Sequence, residues 1–322
     1  MMLNLVSRDW SARLRNASFV FAVFIVMLHT NGPDYNAPRD LIVQFIRNVF
    51  PGKLWPCAVP FFFCCSGFFL APHFDESGWY GRELWKRVKT LFVPYIVINL
   101  MGFLLYQLAA IYAQIPCGMT TMEALGLSVK NPAVSPLWYV RNFLLLVLVA
   151  PVFVPLIKRG FVCTFVVCVF LLVFQCTCEV KGVFAPSVTQ ALTYLFSING
   201  LAYFLLGASL RSSVRLPIIS GKLKVLGAIL LVSGWLCVFA LCRHWQVIPL
   251  FGLLLIPGVV MLLPGDACRI PAILTRNSFP IFIFHTIIFY VFNALLRRIP
   301  VNLDWFYGRW WGWGGGGLLA VS

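Results

Sequence analysis

His29 is the side chain best placed to do chemistry. It closes an apolar run, Phe19 to Leu28, and an ionisable group at the end of a membrane span is costly enough to point to function. Its imidazole suits a general base that takes the proton of an attacking hydroxyl; the plainer reading is an interfacial histidine facing headgroups. At 100° per residue Ser18 lies almost directly beneath it on the same face, about 16 Å lower. Arg15 stands one further turn down and about 40° off that face. It is the nearest cation, or simply a topology-setting charge. A second group, Lys86-Arg87-Val88-Lys89, stands directly before the apolar stretch TLFVPYIVINL. Three cations there suit the phosphates of an anionic cofactor such as coenzyme A, or they anchor a helix end on the basic side of a membrane. In PLWYVRN, Arg141 lies three residues deeper than Trp138 and requires a partner or a wet cavity. His285, in SFPIFIFHTIIF, sits about nine residues into its own apolar run. It is the costlier histidine, and a cavity-facing role is expected for it. His73 and His244 fall at segment ends and need no special account.

Such residues have to be positioned by helices in lipid. Of 322 residues 61% are hydrophobic and 11% charged, with a mean hydropathy of +0.89. A soluble domain carries roughly a quarter of its residues as charges, so most of this surface faces something other than water. Apolar segments fall at about 17–30, 55–71, 90–113, 136–156, 161–177, 188–210, 223–242, 246–264 and 277–296, against about 20 residues needed per span. The end, WFYGRWWGWGGGGLLAVS, is an atypical Trp- and Gly-rich tail over 305–322. Its aromatics suit a membrane interface, while its glycines make a poor tenth helix. The expectation is a single all-α domain over 1–322: a polytopic membrane helix bundle of about nine to ten transmembrane helices. With the N-terminus cytoplasmic, fifteen of the 25 Lys and Arg fall on inner segments, as the positive-inside bias requires.

Composition also excludes. The net charge of +15 is spread over the ends of apolar runs rather than gathered into a soluble patch, so nucleic acid is not an expected partner. The 11 cysteines lie mostly inside apolar runs, and Cys176 and Cys178 lack metal spacing, so they read as small hydrophobes and no metal is expected. The N-terminal run is followed by His29-Thr30 without a small-x-small cleavage site and reads as a retained span. GxxxxGK, HExxH and GxSxG motifs are absent. The ten Asp and Glu are read as confined to segment ends and loops, which argues against ion-coupled transport.

The order of the segments resembles the membrane-bound acyltransferase 3 family. CAVPFFFCCSGFFL is similar to its second span through Val59, Pro60, Phe62, Phe63, Ser66 and Gly67. KRVKTLFVPYIV resembles its basic third-span entrance, and PLWYVRNFLLLVLVAPVF its next segment; YFLLGASLR and SFPIFIFHT match two later ones. The resemblance implies an acyl group, commonly acetyl, taken from cytoplasmic acyl-CoA and moved to a hydroxyl on the far side. It implies a catalytic His29 and a coenzyme-binding basic motif around Arg87. The chain departs from the family where an Arg or Lys eleven positions before the histidine is replaced by Ser18, and where a second Arg is replaced by Thr90; Lys86 and Lys89 keep a basic pair at that spacing.

The expected activity is therefore a membrane O-acyltransferase acting on a cell-envelope polysaccharide or lipid-linked sugar, in the inner or plasma membrane and in contact with membrane lipid. Catalysis is expected from His29 with Arg15 and Ser18, coenzyme binding from Lys86, Arg87 and Lys89, and a substrate path or pore from Arg141, His285, Ser66 and Trp138. A transporter or flippase of sugar-linked lipids and a non-catalytic relic of the family are the alternatives. Acceptor, acyl chain length and oligomeric state are left open by the sequence.

Overall fold

The computed structural model describes residues 7–29, 57–114, 132–181, 197–241, 248–265 and 272–296, with 122 and 125. Regular structure among them is helical, with no strand. In chain order the helices are α1 (Arg8–His29), α2 (Ala58–Leu70), α3 (Trp79–Arg87), α4 (Val93–Ala113), α5 (Leu137–Lys158), α6 (Phe161–Lys181), α7 (Ile198–Ser213), α8 (Gly221–Leu241), α9 (Ile248–Leu262), α10 (Ala272–Arg276) and α11 (Ser278–Leu296). Each of the nine expected segments carries a helix, with α3 and α10 as additions. For the segment at 188–210 the described part begins at Ser197; the tail 305–322 and His244 lie outside the described residues.

The bundle is built around α2. Its sequence, AVPFFFCCSGFFL, is apolar on every side, and a helix of that kind belongs in an interior. The closest pairing in the described bundle is between α2 and α7, and small residues explain why. A Cβ added at Gly67 would overlap the carbonyl oxygen of Phe204, and one at Gly207 would overlap that of Cys64. Two backbones can approach so closely only where side chains are missing. Around this pair, α1 reaches α2 through Phe21 stacked on Phe61 at 4.4 Å, and α5 reaches α7 through Phe143 and Phe204 at 6.5 Å. α11 packs between α1 and α4, while α8 lies outside α9.

The outer surface is apolar. Leu104, Leu108 and Ile111 on α4, Val162, Val166 and Phe170 on α6, and Val225, Ile229 and Val232 on α8 are all exposed. A surface of this extent is a lipid contact rather than a patch. Four stretches, Trp79–Tyr112, Leu137–Lys158, Phe161–Glu179 and Gly221–Ala240, are long and apolar enough to cross a membrane.

The basic segments gather at one end. The Trp10 indole donates to Pro217 O at 2.8 Å, tying the start of α1 to the chain after α7. Arg13 donates to Met261 O at 3.1 Å and to Leu263 O, tying it to the end of α9. Lys158 at the end of α5 meets Asp75, after α2, at 2.8 Å.

Two expectations are corrected here. Helix α3 runs on through a π-helical turn, Val88–Phe92, into α4, so Lys86, Arg87 and Lys89 lie inside a helix of 34 residues rather than ahead of one. Nor are all acids confined to ends and loops, because Glu83 sits within that helix and is buried. An apolar run marks only the hydrocarbon-depth part of a helix; the amphipathic turns of α3, polar outside and closed inside, break the run and read as a loop.

Candidate active site

Three cations were expected to act together, and α3 separates them. Arg87 turns inward: its guanidinium lies 3.2 Å from the Glu83 carboxylate and 5.5 Å from the centre of the Phe143 ring. Its Nε has no hydrogen-bond partner. Lys86 holds the other Glu83 oxygen at 3.1 Å from the rim, and the His73 ring lies 3.8 Å from that same oxygen. Lys89 points away from the interior and lies 4.8 Å from the Trp85 ring centre. The geometry has a physical cause. Glu83 and Arg87 are one helical turn apart, the spacing at which carboxylate and guanidinium meet, and Lys89 falls on another face.

Above Arg87 a line of polar atoms continues between α2 and α5. Asn142, one residue before Phe143, is 1% exposed, and neither atom of its amide has a partner. One turn earlier, the Tyr139 hydroxyl lies 2.8 Å from Ser66 Oγ and 3.1 Å from Phe62 O. Ser66 also donates to Phe62 O at 2.8 Å. Two hydroxyl protons thus serve three contacts, so at any moment one contact lacks a proton and at least one hydroxyl oxygen is open to a donor. Trp138 packs on Phe63 with ring centres 6.4 Å apart. The Phe282 ring meets Tyr139 edge-on at 5.7 Å and leads to His285, 6.4 Å further. His285 is 4% exposed, and its Nδ1 lies 2.7 Å from Phe282 O. Thr286 beside it is buried with an unpartnered hydroxyl. Arg141, two residues after Tyr139, interacts with the phenol of Tyr95 on α4.

Helix α1 distributes its residues differently from the expectation. Ser18 donates to Leu14 O at 2.8 Å, within its own helix, and Arg15 is exposed. His29 is the last residue of α1, and its side chain lies outside the described residues. The interior cation of α1 is Arg13, 4% exposed and paired with Asp9 at 2.8 Å. With Asn16, which donates to Pro264 O at 2.9 Å, it satisfies the carbonyls that α9 leaves open at its C-terminus.

The structure thus brings Arg87, Trp138, Ser66 and His285 around the α2–α5–α11 core, and leaves Arg15, Lys86 and Lys89 outside it. Sequence reasoning passed over Asn142 and Glu83. Asn142 had a signal: it interrupts the apolar face of α5 formed by Tyr139, Phe143, Leu146 and Ala150. At the basic end, outside the spans, Glu76 accepts from His73 at 3.0 Å and from Arg82 at 2.7 Å. These two hydrogen bonds, the His73 one first, hold its carboxyl below the usual carboxylate range.

The arrangement offers an inward guanidinium with a donor to spare, an amide with donor and acceptor free, and hydroxyls sharing one acceptor. It can bind a phosphate at its mouth and an amide or carbonyl chain along its length. The family model for an acyltransferase domain matches residues 16–322. No curated protein and no solved structure matches the chain. Match, apolar surface and helical bundle agree, and the chain belongs to the acyltransferase 3 family as an integral membrane acyltransferase.

Proposed function

We propose that this acyltransferase moves an acyl group, acetyl in the first instance, from coenzyme A on the cytoplasmic side to a hydroxyl of a cell-surface polysaccharide or lipid-linked sugar. The observation that carries the donor assignment is Arg87, an inward guanidinium at the basic end with an unpartnered Nε. Guanidinium is the side chain that matches phosphate geometry, and Lys86 adds charge at the rim. With the N-terminus taken as cytoplasmic and the nine expected segments as crossings, this mouth falls on the side where acyl-CoA is made.

In this reading the thioester arm follows the line Asn142, Tyr139 and Ser66, with Trp138, Arg141 and His285 around it. His29, about 16 Å above Ser18 along α1, takes the proton of the acceptor hydroxyl. The hydroxyl oxygen attacks the thioester carbonyl, the C–O bond forms, the C–S bond breaks, and the imidazolium returns its proton to the departing thiolate. A general base of this kind contributes about 10²–10⁴-fold.

The test supplies acetyl-CoA to membranes containing the chain and measures free coenzyme A released. His29→Ala is expected to abolish release, and Arg87→Gln to raise the KM for acetyl-CoA more than it lowers kcat. Release that is indifferent to both changes would sink the assignment. Ser18 motivates a second reading, a non-catalytic member, because its hydroxyl is occupied by Leu14 O and Arg15 is exposed. Activity that appears only in Ser18→Arg would establish it.

A further inference from the structure

On the side of α2 away from Tyr139 lies a cavity of about 310 Å³. Five helices each present a stripe to it at helical spacing. From α2 these are Phe61, Cys64, Cys65 and Phe68; from α1, Trp10 and Leu14; from α6, Phe161 and Phe165. Tyr203, Leu206 and Leu210 of α7 and the Gly252–Met261 face of α9 complete the wall. From Gly252 to Met261 the rise is about 14 Å, close to the half-thickness, about 15 Å, of a bilayer's hydrocarbon core. Val214, Leu216 and Pro217 border the cavity at the basic end, which would be its mouth toward the headgroups. At its other end the Tyr203 hydroxyl donates to Pro249 O at 2.5 Å.

An apolar cavity of this size offers nothing to hold water. Its mouth is not neutral, however. Arg211 lies 5.8 Å from the ring centre of Phe68, a wall residue, and Arg215 is exposed on the segment that borders the opening. No carboxylate pairs with either among the described residues. We infer that the cavity is a binding site for one anionic phospholipid, with a single tail lying along α9 and its phosphate held by Arg211 and Arg215. The length matches one leaflet's chain, and the charge at the mouth matches the headgroup. The acyl donor is a poorer occupant, because α2 stands between the cavity and the Tyr139–Ser66 line.

Native mass spectrometry of the full chain, extracted in mild detergent and offered equal palmitoyl-oleoyl phosphatidylglycerol and phosphatidylcholine, tests this. One phosphatidylglycerol per chain is expected to survive delipidation, at least 10-fold over phosphatidylcholine. Arg211→Gln with Arg215→Gln is expected to erase that preference, and Leu253→Trp to abolish retention by filling the cavity. If Leu253→Trp does not fold, the surface pair of arginine changes decides alone. Equal retention of both lipids, a preference indifferent to the arginines, or stoichiometric displacement of the lipid by palmitoyl-CoA would each overturn the inference. Coenzyme A release assayed in parallel keeps this outcome separate from the proposed activity, on which the lipid site does not depend.

Discussion

Helix α2 has two faces that share a backbone and little else. One carries Phe62, Phe63 and Ser66 against rings from α5 and α11, with three polar contacts around a single carbonyl. The other carries Cys64, Cys65 and Phe68 and looks into open apolar space. Interiors packed at crystal-like density transmit any change in volume, whereas a cavity absorbs it. The filled face therefore fixes geometry and the open face accepts a guest. The α2–α7 seam belongs to the first kind, since Gly67 and Gly207 bring carbonyl oxygens against bare Cα atoms.

The largest effect that breaks this contrast is expected at the seam. Gly207→Val drives a side chain into the Cys64 carbonyl, where no rotamer gives relief, and a loss of about 3 kcal/mol or more follows. Thermal unfolding in detergent should show a collapsed yield of folded protein, while Cys64→Leu on the cavity side should fold at nearly the wild-type Tm. Next is Asn142→Leu. Removing a buried amide with no partner is expected to stabilise by about 1–3 kcal/mol while coenzyme A release falls. A lowered Tm would mean that the amide is already satisfied. Tyr139→Phe removes one hydroxyl and leaves Ser66 on Phe62 O, a change of about 1 kcal/mol read as a small drop in Tm.

The smallest effect lies at the basic end. Because the Glu76 carboxyl is held below the usual range by His73 and Arg82, its stabilisation is fully present above the ordinary carboxylate pKa. It is lost as pH falls through the lowered folded value. The Tm difference between wild type and Glu76→Gln is accordingly expected to be present near pH 5 to 6 and to shrink below about pH 4. A difference that grows as pH falls from about 5 to below 4 would reverse the sign and exclude this pairing.

Hydropathy made the bundle legible because a lipid-facing helix must be apolar along its whole hydrocarbon length, and α5 and α6 begin and end within a few residues of the expected segments. It missed α3, whose polar turns leave the hydrocarbon while the helix continues. Within the site, residue type identified Arg87 and His285 but not which way they turn. Direction depends on neighbours one turn away, Glu83 for Arg87 and Phe282 for His285. Arg13 escapes sequence reasoning, since its partners lie 248 and 250 residues later in the chain and no local pattern announces them. Asn142 escaped because an amide is inconspicuous beside Arg141.

That distance has a consequence for how the protein is made. Helix α1 leaves the ribosome well before α9, carrying Arg13 and Asn16, while the carbonyls of Met261, Leu263 and Pro264 that receive them are made 248 to 250 residues later. At about 5–20 residues per second, the 248-residue separation from Arg13 to Met261 takes about 12–50 s. Asp9 is the only one of these partners present from the outset, one turn before Arg13. It can offset the Arg13 charge before α9 is made, and Gly265, where a Cβ would overlap the Asp9 carboxylate, leaves room for the Asp9–Arg13 pair when α9 docks.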